Sequence, residues 1–174
     1  ADVIKLEAPG GDVMRQISPM RNPGMGAVFM LANRGKRSIV LDVKKPGGHA
    51  AALKLAAQSD VLIYNVRPAA MKRLGLAYED VRAVNPRIVY VGAFGYGEGG
   101  PYAGRPAYDD LIQAASGLAS LPQRVTGDEP RYVPSAIVDR SVGLACVNAV
   151  TAALFCRERT GLGMMECKKA LVEA

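Results

Sequence analysis

Asp139 stands near the head of the run Pro134-Ser135-Ala136-Ile137-Val138-Asp139-Arg140, which passes into sequence with no charge from 142 to 155. A helix apolar all round is a buried one, so this run is expected as a buried helix whose first turn faces the protein interior. A carboxylate there would be held ionised by the helix dipole and the free amides. Fixed and ionised, it could attack an activated acyl group as a covalent nucleophile. The competing reading makes Asp139 the N-cap of the helix, a common use of Asp at that place. Position alone leaves both open.

Other reactive side chains are few. The single histidine, His49, reads as an exposed helix residue. Cys146, Cys156 and Cys167 make an odd count with no C-x-x-C pair. We therefore expect a reduced, cytoplasmic protein with no metal site, in which the first two cysteines serve as small core residues. The formal net charge of +6 is carried by Arg34, Lys36, Arg37, Lys44, Lys45, Arg67, Lys72, Arg73, Arg82 and Arg87, among others. Nucleic acid or a phosphate-rich cofactor would both answer to it. With aromatics at 6%, no Trp and no nucleic-acid-binding signature, nucleic acid is the weaker candidate.

The elements that must position Asp139 alternate in type. Strands are expected at 3–7, 38–43, 61–66 and 87–94, and helices at 46–58, 69–74, 78–84 and 108–119, ahead of the long final helix. Strands buried on both faces and separated by helices argue for an α/β parallel sheet. A hydrophobic content of 49% against 22% charged residues is globular, and 174 residues suit one domain with a sizeable core. No apolar run of spanning length is evident, so no membrane segment is expected.

The run Gly95-Tyr96-Gly97-Glu98-Gly99-Gly100 satisfies G-x-G-x-x-G after a strand. Pro101 follows it at once, and the acidic residue of a dinucleotide fold is missing. It reads instead as a glycine loop, of the kind that closes over a site.

Taken in order, the motifs resemble those of the family III CoA-transferases, which include formyl-CoA:oxalate and carnitine CoA-transferases and the related α-methylacyl-CoA racemases. The series begins at Asp2-Val3-Ile4-Lys5-Leu6-Glu7, Asn33-Arg34-Gly35-Lys36-Arg37-Ser38-Ile39 and Leu41-Asp42-Val43-Lys44. It continues through Asn65-Val66-Arg67-Pro68, Arg73-Leu74-Gly75-Leu76 and Asn85-Pro86-Arg87. Gly99-Gly100-Pro101-Tyr102, Tyr108-Asp109 and Gln113-Ala114-Ala115-Ser116-Gly117 complete it ahead of Asp139 and Arg159-Thr160-Gly161.

The resemblance implies a Rossmann-like α/β fold with flanking helices that binds CoA, and it places the catalytic aspartate at Asp139. Leu41 and Lys44 match positions beside the adenine and phosphates. Asn65, Val66 and Arg73 match contacts to the nucleotide and the pantetheine arm. Read without the resemblance, Lys44 could be solvated surface, Arg73 a helix-end cation and Asn65 a turn former. Tyr108 falls where racemases carry a histidine, and without an imidazole a two-base racemase loses one of its groups.

A transferase is thus expected, one that moves CoA from an acyl-CoA to a free carboxylic acid through an aspartyl-acyl anhydride and aspartyl-CoA. Amides at the helix start are expected to stabilise the oxyanions. An α-methylacyl-CoA racemase, or a CoA-binding fragment without activity, is the alternative. The family's first β-α unit and its second domain have no counterpart here, so residues 1–174 read as part of a large CoA-binding domain. In its full length the protein is expected to be a homodimer. Ala69 and Ala107 stand where glycine is usual, and the segment from Met164 to Ala170 departs from the family's apolar strand.

Overall fold

The computed structural model describes residues 1–161, so Cys167 and the segment from Met164 to Ala170 lie outside the described residues. The architecture is mixed α/β with parallel strands, and two compact units divide between Leu55 and Ala56.

In the first unit, β1 (Ile4–Glu7) pairs in parallel with β2 (Arg37–Val40), Ile4 opposite Arg37 and Glu7 opposite Val40. A 3-10 turn at Val13–Gln16 and helix α1 (Ala27–Ala32) form the crossover. Helix α2 (Pro46–Ala57) begins in this unit, with proline at its first turn. The expected strand at 38–43 ends three residues early. Leu41 still donates its amide to the Glu7 carbonyl, and the chain then turns at Asp42, whose carbonyl lies against Gly48 with no room for a β-carbon.

The polar centre of this unit is Glu7, buried at 3% exposure. Its carboxylate accepts from the Asp12 amide at 2.8 Å, from Arg15 Nε and Nη2 at 2.7 Å each, and from Ser38 Oγ at 2.7 Å. The Arg15 guanidinium in turn lies over the Phe29 ring, 3.9 Å from its centroid. A buried charge is tolerated when it is paired and hydrogen-bonded on every side.

In the second unit, β3 (Val61–Tyr64) pairs in parallel with β4 (Val89–Gly92), joined by α3 (Pro68–Arg73) and α4 (Tyr78–Val84). Ala56, Val81 and Ile88 form the core, with Leu62 and Tyr90 packed against it. Asn85 closes α4 and donates to the carbonyls of Ala56 and Ser59 at 3.0 and 2.8 Å. Helices α5 (Asp109–Ala115) and α6 (Leu121–Thr126) precede the long α7 (Ile137–Thr160). Sequence patterning finds α2, α3, α4, α5 and α7 but misses α1 and α6, which are only six residues each.

Two expectations need correction. The strands are not buried on both faces: β2 is largely exposed, and only Val89 of β4 is fully buried. Nor is α7 a buried helix. None of its residues is fully buried, Leu144, Val147 and Phe155 stand 59–69% exposed, and Cys146 and Cys156 are half-buried. Its main packing partners among the described residues are α5 and β4, which leaves most of its circumference without a neighbour. By length and composition alone α7 could cross a membrane, so the expectation that no run of that kind exists also fails. At its far end Arg157 donates to Asp60 Oδ1 at 2.8 Å and to the Arg87 carbonyl at 2.9 Å, fixing the helix beside β4. Gly161, at φ 68°, then ends the helix in the left-handed region that glycine tolerates best.

Glu7 gives the first unit a pH dependence. Arg15 first, then Ser38 and the Asp12 amide, outweigh burial and push its carboxyl from the ordinary 4.5 down to about 2. A carboxylate with a depressed folded pKa stabilises the fold above its unfolded pKa and loses that contribution as pH falls. The backbone amides of the first unit should therefore lose exchange protection as pH drops from about 4.5 towards 2. Glu7→Gln should weaken the unit at neutral pH and flatten this acid transition, read by hydrogen exchange at Ser38 and Arg15.

Candidate functional site

The first turn of α7 leaves amide hydrogens with no partner inside the helix. At the N-cap position stands Ala136, which has no side chain to offer them. Asp139 is the third helical residue, so it is not the N-cap that the simplest sequence reading made it. The capping carboxylate comes from another helix. Asp109, the first residue of α5, accepts with one oxygen, Oδ1, from the Val138 amide at 2.8 Å and the Asp139 amide at 3.0 Å.

Gln113, one helical turn further along α5, holds Asp109 in place. Its Nε2 donates to Asp109 Oδ2 at 2.6 Å, and its Oε1 accepts from the Val133 amide at 2.8 Å. Longer contacts run from Nε2 to the carbonyls of Val133 and Ser135. Only 2% exposed, Gln113 thus clamps the segment that leads into α7. Side chains four apart on a helix share a face, and this spacing, with Asp in the first turn of α5, is the signal that could have singled the pair out.

The division of amides sets the charge states. Asp109 is held below the usual aspartate range, by its hydrogen bond from Gln113 first and then by the Asp139 and Val138 amides. Asp139 is shifted the other way, by partial desolvation and then by the negative charge of Asp109. No hydrogen bond or ion pair reaches its carboxylate among the described residues. The expectation that helix amides hold Asp139 ionised is therefore overturned: Asp109 takes those amides. They are equally unable to stabilise an oxyanion, and the Ile137 amide is taken by the Ser135 carbonyl. What results is an exposed, comparatively basic carboxylate on a fixed backbone, as a carboxylate nucleophile requires.

The other expected site residues fall as follows. Tyr108 is the N-cap residue of α5, next to Asp109, and is 69% exposed. Asn65 and Val66 are exposed directly after β3, at the carboxyl end of a parallel strand, where such sheets bind ligands. Arg73 is the exposed last residue of α3. Leu41 and Lys44 lie in the first unit after β2, with Lys44 exposed and its amide donated to Asp42 Oδ1 at 3.2 Å. His49, expected to be exposed, is half-buried in the first turn of α2. Among these, the hydrogen bonds bring Asp139 together with Asp109, the neighbour of Tyr108.

No helix starts in the glycine loop, which agrees with setting the dinucleotide motif aside. Tyr96 and Tyr102 pack in it as a tilted pair with ring centroids 5.3 Å apart, and Arg105 lies 5.1 Å over Tyr102. Its base is tight: Gly95 lies against Ala107 and Ile112, where a β-carbon would collide with the Ala107 methyl group. Among the described residues no cluster of His, Cys, Asp and Glu could hold a metal ion.

Residues 1–174 match CoA-transferase family III over their whole length. The chain is 39% identical over 164 residues to the acetyl-CoA:oxalate CoA-transferase of Acetobacter aceti, covering 94% of the chain and 42% of that protein. To the succinate–glutarate CoA-transferase of Agrobacterium fabrum it is 38% identical over 170 residues, with the same two coverages. A crystal structure of a CAIB/BAIF family protein from Brucella suis superposes with a TM-score of 0.85 at 37% identity, over 95% of the chain and 46% of its own. The chain thus spans less than half the length of these relatives. On sequence and fold together, it belongs to CoA-transferase family III.

Proposed function

We propose that the protein carrying this chain transfers CoA from an acyl-CoA to a small carboxylic acid, with Asp139 as the covalent nucleophile. The observation that carries this reading is the unpaired Asp139 carboxylate at the head of α7, whose neighbouring amides are committed to Asp109. The relatives named as oxalate and glutarate CoA-transferases support the substrate class.

An Asp139 oxygen attacks the thioester carbonyl, the C–S bond breaks, and an aspartyl-acyl anhydride forms with CoA thiolate. The thiolate attacks the aspartyl carbonyl, releasing the first acid and leaving aspartyl-CoA. The carboxylate of the second acid displaces the thiolate to form a new anhydride. Thiolate attack on the acyl carbon of that anhydride then gives the product thioester and restores Asp139. No net proton is consumed, so the site needs no histidine, and Tyr108 in place of an imidazole favours transfer over racemisation. Leu41 and Lys44 are proposed to meet the adenine and phosphates of CoA, and Asn65, Val66 and Arg73 its nucleotide and pantetheine arm. The glycine loop is proposed to cover the reacting carbonyl, and the setting to be the cytoplasm. A homodimer is supported by the exposed apolar side chains of α7.

Two measurements test this reading. In the full-length protein, acyl-CoA followed by hydroxylamine should leave a hydroxamate at Asp139, and Asp139→Asn should abolish both trapping and transfer while the fold survives. An Asp139→Asn protein that transfers CoA at the parent rate overturns the mechanism. Calorimetric titration of the 174-residue chain with CoA should show binding that weakens with salt and falls about tenfold or more in Arg73→Ala, the loss of one charge-assisted contact. Equal, salt-independent binding by both would count against Arg73 as a CoA contact.

A further inference from the structure

We infer that Asp109, anchored by Gln113, is the positioning residue of the Asp139 site: it caps α7 from another helix and so leaves the Asp139 carboxylate unpaired on a fixed backbone. The inference rests on the reading of Asp139 as the nucleophile, and it concerns residues that touch neither the reacting atoms nor CoA.

A helix N-terminus offers several amides, and the carboxylate that takes them is stabilised as an anion. An acidic residue at the third helical position commonly folds back to bond the N-cap amide. Asp139 occupies that position, and Ala136 provides no competing cap. Asp109 alters the outcome by placing one oxygen between the Val138 and Asp139 amides. The Val138 and Asp139 amides are filled, and a second anion at the same turn is repelled.

Gln113 is suited to hold this arrangement because an amide side chain both donates and accepts. Its Nε2 meets the Asp109 carboxylate while its Oε1 meets the Val133 amide. A glutamate there would set two carboxylates face to face, and a leucine would leave both partners unbonded. Asp109 is therefore pinned at Oδ2 and caps with Oδ1. Among the described residues, Asp109 is the charged group that acts on Asp139, while Arg140 follows Asp139 on its own helix and acts favourably on Asp109. Asp110 of α5 is exposed and accepts from the Leu111 amide. In β4 the only titratable side chain is Tyr90, whose hydroxyl donates to the Leu76 carbonyl.

The test follows the carboxyl carbons by NMR in the isotope-labelled 174-residue chain, with amide exchange read at Val138 and Asp139. In the unsubstituted chain Asp139 should titrate above the ordinary 3.8 and Asp109 below it. The reverse order, or equal midpoints, overturns the inference without need of any variant. Asp109→Asn should bring the Asp139 midpoint down, and Gln113→Leu should speed exchange of the Val138 and Asp139 amides at least tenfold. An Asp139 midpoint unmoved by Asp109→Asn overturns it as well. In the full-length protein Asp109→Asn should lower kcat at least tenfold and leave KM for the acyl-CoA within about twofold. Unchanged kcat in Asp109→Asn, with transfer abolished in Asp139→Asn, sinks the positioning role alone. Parental transfer by Asp139→Asn sinks the nucleophile reading beneath it.

Discussion

One carboxylate oxygen, Asp109 Oδ1, bridges the amides of Val138 and Asp139, and the geometry of the candidate site depends on that contact. A capping residue normally lies immediately before the helix it caps. Here the residue at that place is alanine and the capping carboxylate belongs to Asp109, thirty residues before Asp139. The start of α7 is thereby fixed to the start of α5. Two negative side chains meet at one helix terminus, and because one of them takes the amides, the other is left basic and accessible.

The same physics with the opposite outcome operates in the first unit. Glu7 is a buried carboxylate given several donors, and it is pushed down to about 2. Asp139 is an exposed carboxylate given none among the described residues, and it is shifted up. Burial raises both, so the donors around Glu7 and the negative charge of Asp109 beside Asp139 decide the difference. Glu7 is thereby suited to holding β1, β2 and the 3-10 turn together. Asp139 keeps the proton affinity that such a network would lower. At the other end of α7, Arg157 bonds Asp60 and the Arg87 carbonyl, so the helix is tied at both ends.

Much of the fold was legible in the sequence. Ile88-Val89-Tyr90-Val91 announced β4, Pro46 announced the start of α2, and Gly161 ended α7 as the motif Arg159-Thr160-Gly161 suggested. Short α1 and α6 were not, because six residues hold too little apolar periodicity to register. The burial of α7 was misjudged because an apolar run reports what a helix can bury and not which neighbours are present. Asp139 itself was legible as a carboxylate at a helix start, but the direction in which its surroundings shift its pKa was misread. That depends on Asp109 and Gln113, whose contacts to the start of α7 and the segment before it cross thirty and twenty residues and lie in no local pattern of α7. Their i,i+4 spacing was visible, while their partners were not.

In the proposed mechanism the Asp139 carboxylate enters and leaves an anhydride in each cycle. Anhydride chemistry exchanges oxygen atoms: an acceptor acid labelled with 18O gives the anhydride its bridging oxygen, and thiolate attack on the acyl carbon leaves that oxygen on the aspartate. Full-length protein turned over with acyl-CoA and 18O-labelled acid, then digested and examined by mass spectrometry, should carry 18O in the peptide containing Asp139 and in no other carboxylate. Efficient CoA transfer over many turnovers with no label at Asp139 would rule this mechanism out.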